Sequence, residues 1–263
     1  MDLKGKRALV TGASGGIGEC FARRLAGRGA DLVLAARSED KLQTLAAELG
    51  QAHGIEVTPI PEDLSKPRAP EVLFHETEES GRPVDILINN AGVGNYGRFL
   101  DMEWERLAAE IQLNLISLTE LSHRFARSMR ERKSGYICNV ASFAAYSPAP
   151  YFATYSAGKT YVRNFTEALA YELHPSGVRA CCVCPGATRT AFFERAGQKD
   201  LSLLIRATMA GPDKVARVGL RSLLGGRRNV VVGVNNKLTI FLMRFLPRRL
   251  LVWAAAKLAG EAG

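Results

Sequence analysis

A tyrosine and a lysine four residues apart, Tyr155 and Lys159, are the residues whose types and spacing suggest chemistry first. Residues at this spacing lie one above the other on one face of a helix. A free phenol loses its proton near pH ~10, about three units too high for acid–base work at neutral pH. An ammonium about 4 Å away would stabilise the phenolate by roughly 4 kcal/mol, which is about the shift needed. The pair therefore predicts a phenol that exchanges protons at physiological pH, unless the tyrosine is merely packed and the lysine solvated.

Strand-like and helix-like patterns alternate along the chain, and these elements must position the pair. Apolar runs predict strands at 7–11, 31–37, 55–60, 84–88, 135–140 and 178–183. Helical periodicity begins at residue 17 and recurs over 38–51, 68–80, 102–132 and 152–173. Six strands alternating with helices predict an α/β fold, a doubly wound parallel sheet of the Rossmann type. We expect one domain at 1–233, with an amphipathic basic C-terminal extension at 234–263.

A glycine-rich turn joins the first predicted strand to the first predicted helix. It runs Thr11-Gly12-Ala13-Ser14-Gly15-Gly16-Ile17-Gly18. Glycines allow positive-φ backbone and let a pyrophosphate come close, while the following helix offers free N–H groups and a positive dipole end. The spacing is longer than the usual Gly-x-Gly-x-x-Gly, but its position between strand and helix predicts a dinucleotide site.

The second predicted strand ends on Ala36 and Arg37. In such a unit this end lies beside the adenosine ribose, where an acidic residue would bond the ribose hydroxyls and repel a 2′-phosphate. A neutral residue followed by a cation would instead accept the 2′-phosphate. The sequence therefore favours NADP(H) over NAD(H); the alternative is an arginine in solvent before the next helix.

Small and polar residues also follow the other predicted strands. They are Asp63-Leu64, Asn89-Asn90-Ala91-Gly92, Ser142 and Pro185-Gly186. A further amide, Asn114, lies inside a predicted helix, where it lowers helix propensity. Ligands bind parallel sheets at the carboxyl ends of the strands. The convergence of these groups on one edge predicts the ligand site there.

These motifs, in this order and spacing, resemble the short-chain dehydrogenase/reductase superfamily in its single-domain branch, over residues 5 to about 190. The resemblance implies a catalytic tetrad of Asn114, Ser142, Tyr155 and Lys159. Together with the glycine-rich turn and Arg37, it implies a set of cofactor contacts. That set is Gly12, Ser14, Gly15, Gly16, Ile17, Gly18, Arg37, Asp63, Leu64, Asn90, Ala91, Gly92, Tyr155, Lys159, Pro185, Gly186, Thr188 and Thr190. The family often has an aliphatic residue where Thr188 stands, a change that main-chain contacts should tolerate.

The resemblance implies hydride transfer between a nicotinamide and a ketone or secondary alcohol. Ser142 and Tyr155 would meet the charge that develops on the carbonyl oxygen, and Tyr155 would donate its proton. Lys159 would lower the phenol pKa and hold the nicotinamide ribose, and Asn114 would hold a water linking Lys159 to solvent. Candidate substrate-pocket walls are Ser142 with Tyr96, Phe143, Tyr151 and Phe192; for the four aromatic residues the alternative is plain packing. The rival function is a non-catalytic NADP(H)-binding sensor or scaffold, which the intact tetrad disfavours.

Composition narrows the class of protein. Residues 214–263 hold ten Lys/Arg and one acid, so subtraction from 35 and 26 leaves 25 of each sign before them. The net charge of +9 therefore belongs to the last fifty residues. Five cysteines, an odd number, fit a reducing compartment, and scattered histidines disfavour a metal site. With no apolar leader at Met1, we expect a cytoplasmic protein.

The C-terminal stretch 238–259 is apolar but interrupted by Arg244, Pro247, Arg248, Arg249 and Lys257. It is too interrupted to span a membrane and predicts two amphipathic segments broken at Pro247. These could form a lid or subunit contact, or lie on an anionic membrane surface, and either would suit a hydrophobic substrate. Nucleic acid is disfavoured because stacking aromatic residues are not interleaved with the cations. With this tail, the chain as a whole is also diffusely similar to a bacterial branch grouped with D-alanine-transfer-associated reductases, which is akin to very-long-chain ketoacyl reductases and 17β-hydroxysteroid dehydrogenases. The family resemblance implies a homodimer or homotetramer.

Overall fold

A seven-stranded parallel sheet forms the centre of the protein. The computed structural model describes residues 2–78, 81–198 and 200–260. The strands are β1 (Arg7–Thr11), β2 (Asp31–Ala36), β3 (Val57–Pro61), β4 (Ile86–Asn89), β5 (Gly135–Val140), β6 (Val178–Cys184) and β7 (Asn229–Val231). Their order is β3-β2-β1-β4-β5-β6-β7, with parallel pairing throughout. This order reverses direction beside β1, the topological switch point where such sheets bind ligands.

Helices connect the strands and cover both faces of the sheet. They are α1 (Gly16–Ala26), α2 (Glu39–His53), α3 (Ala69–Glu78), α4 (Trp104–Ile111), α5 (Leu118–Glu131), α6 (Ala153–Leu173), α7 (Phe192–Ala196), α8 (Leu203–Thr208), α9 (Pro212–Leu224), α10 (Val234–Met243) and α11 (Arg248–Ala259). Short 3₁₀ turns occupy Phe99–Asp101, Phe143–Tyr146 and His174–Ser176.

Each strand sends alternate side chains into two separate cores. In β1, Ala8 and Val10 pack with α1, α2 and α9, whereas Leu9 packs with α3, α5 and α6. A sheet buried on both faces needs strands that are apolar at every position, which is why their sequences are continuous rather than alternating. The predicted α/β architecture is therefore confirmed.

The six predicted strands all exist, with ends shifted by no more than two residues. The seventh, β7, was not predicted, because three residues beside Arg227 and Arg228 are too short to show a pattern. The helix expected at 68–80 is α3; residues 79 and 80 lie outside the described part of the chain.

The helical region expected at 102–132 is present over 104–131, but it is not α-helical throughout. Between α4 and α5 the chain forms a π-helical segment, Gln112–Ser117, with Asn114 inside it. The Asn114 side chain accepts a hydrogen bond from Val93 N at 3.0 Å and donates one to Val93 O at 2.7 Å. The wider π-helical segment thus directs the Asn114 amide toward the loop after β4. Such π segments are frequent at functional sites.

The C-terminal extension has one helix on each side of Pro247, as its pattern predicts. Ile240 is the buried residue of α10, and no residue of α11 is buried. The extension therefore lies on the surface. None of the helices in the described ranges is long and apolar enough to cross a membrane.

Candidate active site

Tyr155 and Lys159 lie in the first two turns of α6, beside the end of β5. Lys159 is 4% exposed, and its Nζ donates a hydrogen bond to Val140 O at 2.9 Å. The same Nζ lies 5.7 Å from the centre of the Tyr155 ring. Burial lowers the pKa of Lys159 to about 8, although Cys182, Cys184 and Glu110 partly oppose this. The helical spacing therefore does bring the pair to one place.

The phenol of Tyr155 does not have the lowered pKa that the spacing predicts. Burial raises the pKa of Tyr155 to about 12, and a hydrogen bond with the Ser142 hydroxyl only partly lowers it. The expectation of a phenol already near neutrality is wrong for this arrangement. The physical reason is that burial penalises the phenolate, while the ammonium faces a backbone carbonyl instead of the phenol oxygen.

The other two tetrad candidates lie beside this pair. Ser142 follows β5 and caps the 3₁₀ turn Phe143–Tyr146, with its Oγ accepting from Ala144 N at 3.1 Å. A Cβ built on Gly92 would lie 3.1 Å from Asn114 Oδ1 and 3.4 Å from Lys159 Nζ. Gly92, Asn114 and Lys159 therefore meet at one point. Two hydroxyls, an ammonium and an amide converge where a carbonyl group could bind.

The glycine-rich turn after β1 has the shape that a dinucleotide phosphate requires. Gly12 and Gly16 have φ of +65° and +59°. A Cβ on Gly18 would lie 2.2 Å from Gly12 O, so the turn closes only with glycine there, whereas a Cβ on Gly15 would meet nothing within 4 Å. The N-cap residue of α1 is Gly15, which has no side chain to cap the helix. The open space at Gly15, in front of the free N–H groups at the start of α1, fits a phosphate. Ser14 and Ile17 belong to the same turn.

Asn90 holds the loop after β4 against this turn. Its Nδ2 donates to Thr11 O at 3.0 Å and to Gly12 O at 3.3 Å. Thr11 Oγ1 accepts from Asn90 N and Ala91 N, each at 3.0 Å. One amide thus ties two strand ends into a continuous edge, leaving the backbone of Ala91 and Gly92 beside it.

The groups expected on the adenosine side lie at the ends of β2 and β3. Arg37 is exposed just after β2. Burial raises the pKa of Asp63, but bonds from Ser65 and the charge of Arg37 outweigh it, so the pKa is lowered. The side chain of Leu64 is buried in the core and its carbonyl accepts from Ser117 Oγ at 2.6 Å. Any cofactor contact of Leu64 would therefore be through its backbone N–H.

The loop after β6 closes the other side of the candidate site. Pro185 O accepts from Phe143 N at 2.7 Å, which joins the ends of β5 and β6. Within the loop, Thr188 Oγ1 donates to Gly186 O at 2.9 Å. A Cβ on Gly16 would lie 3.0 Å from Thr190 Cγ2, so the loop after β6 reaches the glycine-rich turn. Pro185, Gly186, Thr188 and Thr190 thus lie along one edge of the candidate cofactor site.

Aromatic side chains surround Tyr155 on the substrate side. Phe192 lies 5.1 Å from the Tyr155 ring, and Tyr96 lies 6.0 Å from Tyr151, centre to centre. Tyr151 has φ of 65°, which is rare for a bulky residue and is often found at functional sites. Phe143 is half-buried after β5. Tyr96, Tyr151 and Phe192 therefore belong to one aromatic wall.

Several residues of this region were missed by sequence reasoning. Phe152 joins the wall, with its ring 5.8 Å from Tyr155 and 5.3 Å from Tyr96. A Cβ on Gly186 would lie 2.4 Å from Asn236 Nδ2, so α10 packs on the loop after β6. Glu110 and Asn95 form a buried polar pair. Of these residues, only Glu110 could have been noticed in the sequence, as an acidic residue four positions before Asn114. Within the described ranges, no His, Cys, Asp and Glu side chains cluster in a way that could hold a metal ion.

Comparisons with known proteins agree with this geometry. Residues 6–201 match the family model described as short chain dehydrogenase. A ketoacyl reductase, HetN, of Nostoc is 32% identical over 236 residues, covering 89% of this chain and 80% of its own. The 7beta-hydroxysteroid dehydrogenase of Collinsella aerofaciens is 31% identical over 186 residues, covering 71% of this chain and 70% of its own.

Solved structures show the same similarity. A short-chain dehydrogenase from Sphingobium yanoikuyae in complex with NADPH has a TM-score of 0.81 at 30% identity, covering 92% of this chain and 96% of its own. A short-chain dehydrogenase/reductase from Burkholderia phymatum in complex with NAD has a TM-score of 0.83 at 25% identity, covering 93% of this chain and 94% of its own. The parallel sheet, the strand-end motifs and these matches together show that the chain belongs to the short-chain dehydrogenase family.

Proposed function

We propose that this chain is an NADP(H)-dependent oxidoreductase that reduces a hydrophobic ketone or oxidises the matching secondary alcohol. The observation that carries the proposal is the convergence of Ser142, Tyr155, Lys159 and Asn114 at one edge of the sheet, beside the glycine-rich turn. A sensor or scaffold would need the dinucleotide site but neither the phenol nor the ammonium. The complete set of four therefore favours an enzyme over the non-catalytic alternative.

The proposed mechanism assigns one task to each side chain. The bound nicotinamide cofactor supplies or accepts the hydride. Ser142 and Tyr155 donate hydrogen bonds to the carbonyl oxygen, and Tyr155 passes its proton to that oxygen as the alkoxide forms. A pKa of about 12 keeps the phenol protonated, which suits an acid in the reducing direction. The ammonium of Lys159 stabilises the resulting phenolate, and Asn114 positions Gly92 and Val93 beside Lys159.

The preference for NADP(H) is supported by the residues at the end of β2. Arg37 is exposed there and no carboxylate replaces Ala36, so a 2′-phosphate would meet a cation. The charge of Arg37 also acts on Asp63 across the ends of β2 and β3. The solved relatives named above hold NADPH in one case and NAD in the other. Arg37 is therefore the residue on which the choice between the two cofactors rests.

The aromatic wall around Tyr155 supports an apolar substrate. Phe152 and Phe192 offer large apolar surfaces 5.8 and 5.1 Å from the Tyr155 ring, and Tyr96 extends this surface by packing on Phe152 at 5.3 Å. The ketoacyl and hydroxysteroid substrates for which two relatives are named are also apolar ketones or alcohols.

The function is tested by following NADPH oxidation with ketones of graded chain length and ring number. We expect turnover to rise with apolar size until the wall is filled. Binding of NADPH by calorimetry, measured in parallel, distinguishes an enzyme from a sensor. Tight NADPH binding with no turnover of any ketone, and no oxidation of the matching alcohols, would support the sensor instead.

We also propose that two copies associate through α6 and the start of α5. A groove of about 980 Å³ lies between these helices, with Ile116 50% exposed and Tyr161 41% exposed at its rim. Exposed apolar surface of this kind is typical of an interface. Tyr161→Glu is expected to convert the oligomer to monomer in sedimentation velocity, whereas Tyr171→Glu, farther along the helix, should leave the mass unchanged. A wild-type chain that sediments as a monomer would contradict this proposal.

For the C-terminal extension we propose contact with an anionic membrane surface, and a cytoplasmic location that fits five free cysteines. Leu238, Phe241 and Leu242 share one face of α10, and Phe245, in the turn that follows, packs on Phe241 at 5.3 Å. Each of the four is more than half exposed. Residues 234–260 carry five Lys/Arg and no Asp or Glu. Two such faces would repel each other, whereas anionic lipid complements both the charge and the apolar side chains.

The extension is also attached to the aromatic wall. Tyr96 Oη donates to Ala259 O at 3.1 Å, or to Gly260 O at 3.0 Å, and Gln198 Nε2 donates to Ala259 O at 3.0 Å. The end of α11 thus lies at the rim of the candidate substrate pocket. A chain resting on a bilayer through α10 and α11 would hold that rim near the lipid, where apolar ketones dissolve.

This proposal is tested by co-sedimentation of the full chain with vesicles. We expect pelleting with phosphatidylcholine–phosphatidylglycerol vesicles but little with phosphatidylcholine alone. Replacing Phe241 and Phe245 by Ser should weaken partitioning by at least about a hundredfold, since each buried phenyl contributes roughly 1.5–3 kcal/mol. The control replaces Leu100 and Tyr171, which are 91% and 70% exposed on the body, by Ser. Equal loss in both variants, or no pelleting of the wild type, would contradict membrane contact.

A further inference from the structure

One side chain of the C-terminal extension, Asn236, lies directly against the loop after β6. A Cβ built on Gly186 would lie 2.4 Å from Asn236 Nδ2, 3.0 Å from Asn236 Cγ and 3.1 Å from Asn236 Oδ1. The three heavy atoms nearest to that point therefore all belong to the Asn236 carboxamide. The family match ends at residue 201, so this contact is made by a part of the chain that the match does not cover.

The glycine at position 186 is explained by this contact and not by backbone conformation. Gly12 and Gly16 have positive φ, but Gly186 does not, so an alanine could adopt the same backbone. A separation of 2.4 Å between non-bonded atoms is far below van der Waals contact. A methyl group at 186 would therefore displace either the Asn236 carboxamide or the loop itself.

Asn236 is held in this position from its other side. Its Nδ2 donates a hydrogen bond to Val232 O at 2.7 Å. Val232 N in turn donates to Cys184 O, at the end of β6, at 3.0 Å. Ile240, one turn further along α10 and on the same face, is buried. The carboxamide thus belongs to the inward face of α10 and is fixed to the end of the sheet.

The loop that this carboxamide contacts connects the two halves of the candidate site. At its start, Pro185 O accepts from Phe143 N at 2.7 Å, beside the proposed catalytic hydroxyls. At its end, Thr190 Cγ2 lies 3.0 Å from a Cβ built on Gly16, in the glycine-rich turn. A dinucleotide whose phosphates bind the turn and whose nicotinamide meets the hydroxyls must lie along this loop. The position of Gly186 therefore affects where the nicotinamide can lie.

We propose that Asn236 is a positioning residue, which holds the Gly186 backbone where the nicotinamide end of the cofactor binds. Asn236 acts through Gly186 rather than by touching the cofactor or the substrate. Its effect on the cofactor rests on the proposed function, whereas the contact with Gly186 does not. Misplacement of a reacting group by about one ångström can lower turnover by about a hundredfold, so a fixed support here has a catalytic consequence.

The first test is Asn236→Ala in the full-length protein, with Asn235→Ala as the control. Asn235 is the neighbouring asparagine on the same turn, and it is exposed. Without cofactor, backbone amides from 186 to 190 should exchange with deuterium about five- to tenfold faster in Asn236→Ala, because the loop loses a support comparable to one hydrogen bond. Bound NADPH should also lose part of its fluorescence enhancement, which reports on the surroundings of the nicotinamide. Asn235→Ala should match the wild type in both measurements.

The second test combines Asn236→Ala with Gly186→Ala, because the contact predicts how the two substitutions interact. In the wild-type background, Gly186→Ala should weaken NADPH binding by about tenfold or more, because the new methyl group meets the carboxamide. In the Asn236→Ala background the methyl group enters the vacated space, so the further loss should be less than about threefold. Equal losses in the two backgrounds, measured by fluorescence titration, would overturn the proposal.

The remaining outcomes separate this inference from the proposed function. If Gly186→Ala does not fold, the exchange rates and NADPH emission of Asn236→Ala and Asn235→Ala decide alone. Wild-type exchange, or wild-type emission together with wild-type turnover, in Asn236→Ala would overturn the positioning role. Exchange and titration need no ketone. The predicted coupling without turnover of any ketone would therefore reject the reductase function and leave the role of Asn236 standing.

Discussion

Replacing Tyr155 by Phe is expected to lower kcat for ketone reduction by about two to four orders of magnitude. The substitution removes the hydroxyl that hydrogen-bonds with Ser142 and would give its proton to the forming alkoxide. It keeps the ring, which packs against Phe152 and Phe192 at 5.8 and 5.1 Å. We therefore expect the free energy of unfolding and NADPH binding to change little, so the loss should appear in kcat rather than in KM.

The measurement is steady-state NADPH oxidation with the best ketone from the graded series. Tyr151→Phe is the matched control, because Tyr151 is a neighbouring tyrosine without a lysine at the same offset. Its kcat should stay within a few-fold of the wild type. A Tyr155→Phe enzyme that retains the full wild-type rate would show that another group donates the proton. The high pKa of Tyr155 also predicts a pH dependence. Alcohol oxidation needs the phenolate, so its rate should increase as pH rises.

Replacing Arg37 by Asp is expected to change the ratio of NADPH to NADH affinity by about a hundredfold or more. Under the proposed NADP(H) preference, the substitution would remove a charge-assisted contact with the 2′-phosphate and put a like charge in its place. An aspartate at this position can also bond the ribose hydroxyls of NADH, so NADH binding should be kept or improved. Because Arg37 is exposed at the end of β2, the fold should tolerate the change.

Cofactor dissociation constants by fluorescence titration provide the readout for Arg37. Arg68→Asp is the control, since its side chain is 89% exposed and it carries the same charge change away from β2. That variant should alter both affinities equally, through net charge alone. If the NADPH to NADH ratio is the same in Arg37→Asp and in Arg68→Asp, Arg37 does not contact the 2′-phosphate.

Local patterns were enough to predict the architecture. Apolar runs such as Ala8 to Val10 predicted strands, because a doubly covered sheet requires apolar side chains on both faces. Glycines at 12, 16 and 18 predicted the phosphate turn, because backbone conformation and close approach are properties of the residue itself. The broken C-terminal helix was likewise predictable, because Pro247 cannot continue a helix.

Other features depend on residues far apart in sequence. The seventh strand, β7, could not be predicted from its own three residues, because they form a strand only by pairing with β6. The π-helical segment exists because Asn114 bonds Val93, twenty-one residues earlier.

The residue types at 155 and 159, and the helix that carries them, were determined by the sequence alone. Only the tertiary structure decided their electrostatics, since it partly buries the phenol and turns Lys159 toward Val140 O. The reason is physical. A helical spacing sets which side chains share a face, but a pKa depends on the water, charges and carbonyls that the whole fold arranges around them.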